Sequence, residues 1–258
     1  MKHFKSKGFH FSWIASITLA GLAIFLIHQK YPDPGPINIP ATNHQLSPTP
    51  TKDSLTPTPT ETASNQLPTT FLLKVPFSPQ APTANWDELH NEACEETSVI
   101  MVERYFSGDT SATLKPELVE SELNKITEWE KQTFGYYLDI DSEETAKLLR
   151  EVYGLKTRLE KNMTEEHIKE ELKAGNLVIW SANGRKLGNP NFRQPGPPYH
   201  MLVIKGWDKN GFITNDPGTR KGRNYPYTYE TLFNAAGAWS HNLSAVDEGN
   251  QTALVVWK

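Results

Sequence analysis

Nine of the chain's 19 prolines fall between Tyr31 and Thr70, in runs such as Ser47-Pro48-Thr49-Pro50 and Thr56-Pro57-Thr58-Pro59-Thr60. Proline lacks a backbone N–H and fixes φ, so such a stretch builds neither a helix interior nor a central strand. With no helical or alternating apolar period, residues 31–69 read as a disordered Pro/Thr-rich stalk with extended polyproline II character, unable to bury a core. The tract divides the 258-residue chain into a short leader and one long segment.

In the leader, Lys2, Lys5 and Lys7 precede an uncharged run from Phe11 to Ile27, and Lys30 follows. The run is at the short end of what spans a bilayer, about 17 to 25 residues, and longer than a secretory h-region of about 7 to 15. No A-x-A cleavage pattern follows it, and no cysteine closes it as a lipoprotein signal would require. Residues 1–30 therefore read as a signal anchor, with a cleaved signal and a secreted product as the alternative. The lysines place Met1 in the cytoplasm and everything after Tyr31 outside, so the expected chain is membrane-anchored with an extracytoplasmic domain.

Residues 70–258 are enough for one domain with its own core. Formal net charge is −4 and no basic block is dense enough to follow a phosphate backbone, so nucleic acid is excluded as a partner. Cys94 is the only cysteine, so no intramolecular disulfide can form. A single thiol kept in an oxidising compartment points to a working sulfur, although a lone cysteine is also a common small core residue.

Thr70 to Val75 reads as a short strand ahead of Pro76. A helix begins near Cys94, with Ser98, Val102 and Tyr105 recurring at three and four residues, and stops at Gly108. Further helices are expected over Pro116–Ile126 and Ser142–Val152. Leu155 to Leu159 reads as a strand, Thr164 caps a helix to Ala174, and Leu177 to Trp180 reads as a central strand. His200–Trp207 and Gly211–Asp216 form a hairpin around Asn210-Gly211, a short helix lies near Tyr229–Ala236, and Thr252–Trp257 closes the chain as a strand. A helical first half packed on an antiparallel sheet is an α+β fold.

Thiol catalysis on an amide needs a nucleophile, an imidazole to exchange its proton, an acceptor to orient that imidazole and a donor for the oxyanion. Cys94 at a helix N-terminus stands among unpaired N–H groups that favour a thiolate. His200 opens a strand, and Asp216 ends the strand expected beside it. A strict two-residue turn leaves these two about three residues out of register, so their contact requires a bulge or a longer loop. Asn215 competes with Asp216 for the orienting role, and alternation lets only one serve. Gln80 can offer its amide to the oxyanion. His90, His167 and His241 are the other histidines of the domain and rank behind His200. Glu95 and Glu96 read as first-turn acids suited to the helix dipole, Glu96 projecting away from Cys94. A zinc site from Cys94, His200 and Asp216 lacks an organising C-x-x-C or H-E-x-x-H spacing, so no metal and no cofactor are implied. Arg185, Lys186, Arg220, Lys221 and Arg223 place positive charge on two loops, suited to carboxylate-bearing substrates or simply solvated.

Val75-Pro76-Phe77 with Gln80-Ala81-Pro82, Trp86, Glu92-Ala93-Cys94-Glu95-Glu96, Tyr199-His200-Met201-Leu202-Val203-Ile204-Lys205-Gly206 and Asn215-Asp216-Pro217-Gly218 together resemble the C39-like branch of papain-like cysteine peptidases. The resemblance implies a papain-like fold for residues 70–258. It implies Cys94 as nucleophile, His200 as general base, Asp216 as its partner and Gln80 as oxyanion residue. The better-known form of that family has Cys-Gly-Pro-Ala-Ser where this chain has Cys94-Glu95-Glu96-Thr97-Ser98. The implied activity is cleavage of a peptide or protein substrate, such as a cell-wall peptide, through a thioester on Cys94. An amidase or acyltransferase with the same chemistry, and a peptide-binding module without turnover, remain the alternatives.

Overall fold

The apolar period after Cys94 continues as a 13-residue helix whose first nine residues are all buried. The computed structural model describes residues 67–258. The expected anchor and almost all of the expected stalk lie outside them, and among the described residues no helix is long and apolar enough to cross a membrane. After the two-residue strand β1 (Phe71–Leu72), helices α1 (Glu88–Asn91), α2 (Cys94–Phe106), α3 (Pro116–Thr133) and α4 (Ser142–Tyr153) occupy the first half. Then come β2 (Lys156–Lys161), α5 (Glu165–Lys173), β3 (Leu177–Ala182), α6 (Gly184–Leu187), β4 (His200–Trp207) and β5 (Gly211–Asn215). The chain ends with β6 (Tyr225–Thr228), α7 (Tyr229–Ala235), the pair β7 (Ala238–Ser240) and β8 (Ala245–Asp247), and β9 (Thr252–Trp257).

Local signals account for most boundaries. Asp141 and Glu144 form a reciprocal capping box at the start of α4, and Gly154 ends it in the left-handed region at φ 66°. Thr164 caps α5 by accepting the His167 N–H. Helix α3 runs past the expected end at Ile126 to Thr133, because the polar residues after it break the apolar stripe but not the helix. Strands β6, β7 and β8 and helices α1 and α6 are three or four residues long, too short to show a period.

The principal sheet is antiparallel, in the order β2-β9-β3-β4-β5-β6, with β1 beside the end of β4. Every residue of β3 and β4 is buried, so both faces of the sheet centre are covered. Helix α2 packs on β4 and against α3 and α4, while α5 lies on β3 and β4. The fold is thus α+β, helices on an antiparallel sheet. Two details set the β4–β5 hairpin. Gly211 is needed for more than its turn, because a Cβ there would sit 2.0 Å from the Tyr227 carbonyl oxygen of the adjacent strand. The register then shifts between Ile204 and Gly206, a bulge at Lys205 of the kind that a His200–Asp216 contact requires. The buried Lys205 ammonium donates to the Val75 carbonyl and to Asn224.

Between α2 and α3 the core holds a carboxyl pair. Glu96 and Glu130 are both buried, and neither Glu96 Oε2 nor either Glu130 oxygen has a hydrogen-bond donor elsewhere among the described residues. Burial without a donor favours the protonated, uncharged form of such a carboxyl. Burial first, and then mutual repulsion with the other carboxylates nearby, pushes the Glu130 carboxyl far above the ordinary range, and burial raises Glu96 as well. A folded state that retains a proton the unfolded chain has released loses stability as pH rises above about 4.3, the unperturbed glutamate value. Glu130→Gln supplies an amide donor to Glu96 without needing that proton. It is expected to raise the melting temperature at pH 8, stabilising by about 1–3 kcal/mol, and to do little at pH 5. Parallel thermal melts of the two chains across this pH range check the expectation.

Candidate active site

Cys94 is the first residue of α2, and the α1–α2 corner that delivers it is stapled by Gln80. Gln80 Nε2 donates to the carbonyls of His90 (2.8 Å) and Asn91 (2.9 Å), and its backbone N–H donates to Pro217 (2.9 Å). One residue therefore ties the segment before Cys94 to the segment after Asp216. Both amide hydrogens of Gln80 are used in this staple, while its buried Oε1 has no partner. No side chain caps the N-terminus of α2. The first N–H groups of the helix, next to the sulfur, are accordingly without intrahelical acceptors.

Strand β4 brings the remaining groups. The Met201 N–H donates to Cys94 Sγ at 3.4 Å, so the sulfur lies over the start of β4, beside His200. His200 Nε2 is 2.8 Å from Asp216 Oδ1, with both side chains buried. That contact leaves Nδ1 as the ring nitrogen for the thiol. Asp216 also accepts from the Gly218 N–H (3.0 Å), Tyr227 OH (2.5 Å) and Asn189 Nδ2 (3.1 Å). Burial alone would raise the Asp216 carboxyl. The His200 charge and these hydrogen bonds outweigh it and hold the group below the usual aspartate value. Phe192 stands edge-on to the imidazole at 5.2 Å, and a Cβ on Gly218 would meet both rings at 2.8 Å. Gly218 is glycine because the imidazole occupies the space.

Asn215 is decided against as the orienting group, since its amide donates to the carbonyls of Val75 and Pro76 and its oxygen accepts the Asn224 N–H. His90 is held by Asp87 and Glu120, and His241 by Glu144 and Tyr136. The only grouping of metal-ligating side chains among the described residues is Asp141, Glu144 and His241, of which the two acids already serve the capping box. Of the five loop cations, only Arg220 and Lys221 line the cleft that contains Cys94 and His200. Lys186 pairs with Glu248 instead.

Glu95 departs from expectation. It is not a solvated first-turn acid but a buried one, and the thiol of Cys94 donates to its Oε2 at 3.0 Å. Burial, then repulsion from Glu95 and the hydrogen bond to it, raises the Cys94 thiol well above its usual value. The Met201 N–H opposes this without cancelling it. No hydrogen bond joins the sulfur to His200 among the described residues. Burial also raises the Glu95 carboxyl well above its usual range, so the pair favours a protonated sulfur, the reverse of what a helix N-terminus alone would give. The Asp216 donors Tyr227 and Asn189 went unseen in the sequence, one in the short strand β6 and the other in the loop after α6. Neither position carries a signal beyond its residue type.

The assembled parts, a lone thiol at a helix N-terminus beside a buried imidazole–carboxylate pair, are those of a cysteine-dependent acyl-transfer site. The chain belongs to the Peptidase_C39 like family, whose sequence profile matches residues 72–243. That span holds Gln80, Cys94, His200 and Asp216. No curated protein matches the chain. Among solved structures it is similar to a protein from Bacillus anthracis provisionally named as a C39-like peptidase, at 17% identity and a TM-score of 0.48, over 73% of this chain and 98% of that one.

Two substitutions test this geometry. Glu95→Ala removes an acceptor worth about 0.5–1.5 kcal/mol, so iodoacetamide should alkylate Cys94 at neutral pH roughly 2- to 10-fold faster. Glu95→Gln, which keeps an acceptor oxygen but not the charge, should fall between the parent and Glu95→Ala. Gly218→Ala should displace the His200 ring, read as a loss of the imidazole NMR resonance coupled to Asp216.

Proposed function

We propose that the protein is a surface-tethered cysteine peptidase of papain-like architecture that cleaves an amide bond through a thioester on Cys94. The observation that carries this reading is the His200 Nε2–Asp216 Oδ1 contact of 2.8 Å, one residue from the N–H that holds the Cys94 sulfur, in a single open cleft. Family membership supports the class of activity. The tethering rests on the leader and stalk of the sequence.

In this reading the thiol turns from Glu95 toward His200 Nδ1 and gives up its proton. The imidazolium is stabilised by Asp216, which stays ionised because four donors satisfy it. The sulfur attacks the substrate carbonyl, forming the C–S bond, and the oxyanion falls to the uncapped N–H groups at the start of α2. Gln80 joins them only by giving up one of its two carbonyl partners, so oxyanion binding and release of the α1–α2 corner are one event. His200 then protonates the leaving amine as the C–N bond breaks, and water resolves the thioester with His200 as base.

The test is the pH dependence of Cys94 alkylation by iodoacetamide in the full chain, in His200→Ala and in Glu95→Ala. The parent limb should lie above the unperturbed thiol value of about 8.5, as burial and Glu95 require, move down in Glu95→Ala, and lose its rate at neutral pH in His200→Ala. A thiol whose reactivity is indifferent to His200 would remove the peptidase reading and leave a binding module.

A further inference from the structure

The cleft around Cys94, of about 1150 Å³, is lined by opposite charges that do not meet. On the lining segments around α1 and before α4 stand Glu88, Glu92 and Asp139. On the segments before β4 and after Asp216 stand Arg193, Arg220 and Lys221. None of these six forms an ion pair among the described residues, although solvated opposite charges close to one another ordinarily do. Glu92 and Asp139 are not freely solvated either. Both are half-buried, and burial, followed for Glu92 by repulsion from Asp139 and Glu88, raises their carboxyls above the usual range. The His241 charge lowers Asp139 without cancelling the effect of burial.

Two half-buried carboxylates lining one cleft, neither of them in an ion pair, are a cost to the empty molecule that a bound cation would reduce. One further feature points to an occupant. Trp86 lines the same cleft with 42% of its surface exposed, a large aromatic face left in water.

We propose that the cleft selects a peptide carrying an ammonium or guanidinium group, seated against Glu92 and Asp139 with Trp86 beside it, and that the Arg193, Arg220 and Lys221 rim excludes that group from the other side. The rim then fixes the direction of the bound peptide by repulsion as well as attraction, since a reversed peptide would bring its cation against three others. This deepens the reading of a peptidase and rests on the same cleft.

Protection of Cys94 from iodoacetamide tests it in the full chain. The probes are acetylated, amidated tetrapeptides with one lysine, moved through the four positions against glycine, beside matched peptides with norleucine or glutamate in its place. Lysine is expected to protect about 3- to 10-fold better than norleucine in at least one position, and the advantage should shrink with salt. It should fall toward unity in Glu92→Gln and in Asp139→Asn, and Glu92→Lys should transfer the preference to glutamate. Equal protection by lysine and norleucine, or protection by none of the peptides, overturns the proposal. The two readings separate cleanly. A His200-dependent thiol without charge preference retains the peptidase and discards the cation subsite, and a thiol that reacts independently of His200 yet is protected best by lysine does the converse.

Discussion

The Asp216 carboxylate sits in the interior with no exposure, and everything around it is arranged to keep it ionised there. Each of its oxygens accepts two hydrogen bonds, from His200 and Gly218 on one and from Tyr227 and Asn189 on the other. These donors come from β4, the loop after β5, β6 and the segment after α6, so the charge is the point on which four chain segments converge. A buried ion that loses one partner costs several kcal/mol, about 3–5, because the charge stays behind. The hairpin bulge at Lys205, the absence of a side chain at Gly218 and the ordering of β6 beside β5 follow from placing that carboxylate where it is. Gly222 belongs to the same set, since a Cβ there would overlap the Asp216 carbonyl oxygen at 1.7 Å.

Against this fixed side of the cleft stands a more conditional one. Cys94 is placed by a helix N-terminus without a side-chain cap, in a corner held by one amide, and its proton rests on a neighbouring carboxyl rather than on the imidazole. The His200 side is over-determined, whereas the Cys94 side has one alternative partner built into it. The division matches the two halves of the fold, a sheet whose central strands are covered on both faces and a helical layer that carries three buried glutamates.

The sequence made some of this plain and concealed the rest for identifiable reasons. The helix from Cys94, the caps at Asp141 and Thr164, and the strands β3, β4, β5 and β9 were legible because period, capping and turn signals agreed. The bulge between His200 and Asp216 was legible as a requirement of the register, not as a position. Glu95 and Glu96 were misread because helical geometry places a side chain relative to its own axis and not relative to the next layer. Glu96 does point away from Cys94, but α3 lies there with Glu130, so the far side of the helix is interior too. Tyr227 and Asn189 reach Asp216 from segments with no period at all.

Only 6% of Cys94 is exposed, and its proton is retained by burial and by Glu95. Peroxides and disulfides consume thiolates and spare thiols. A sulfur kept protonated at the floor of a cleft is chemically durable. It resists oxidants without a second cysteine to rescue it, and it is vulnerable mainly while deprotonated.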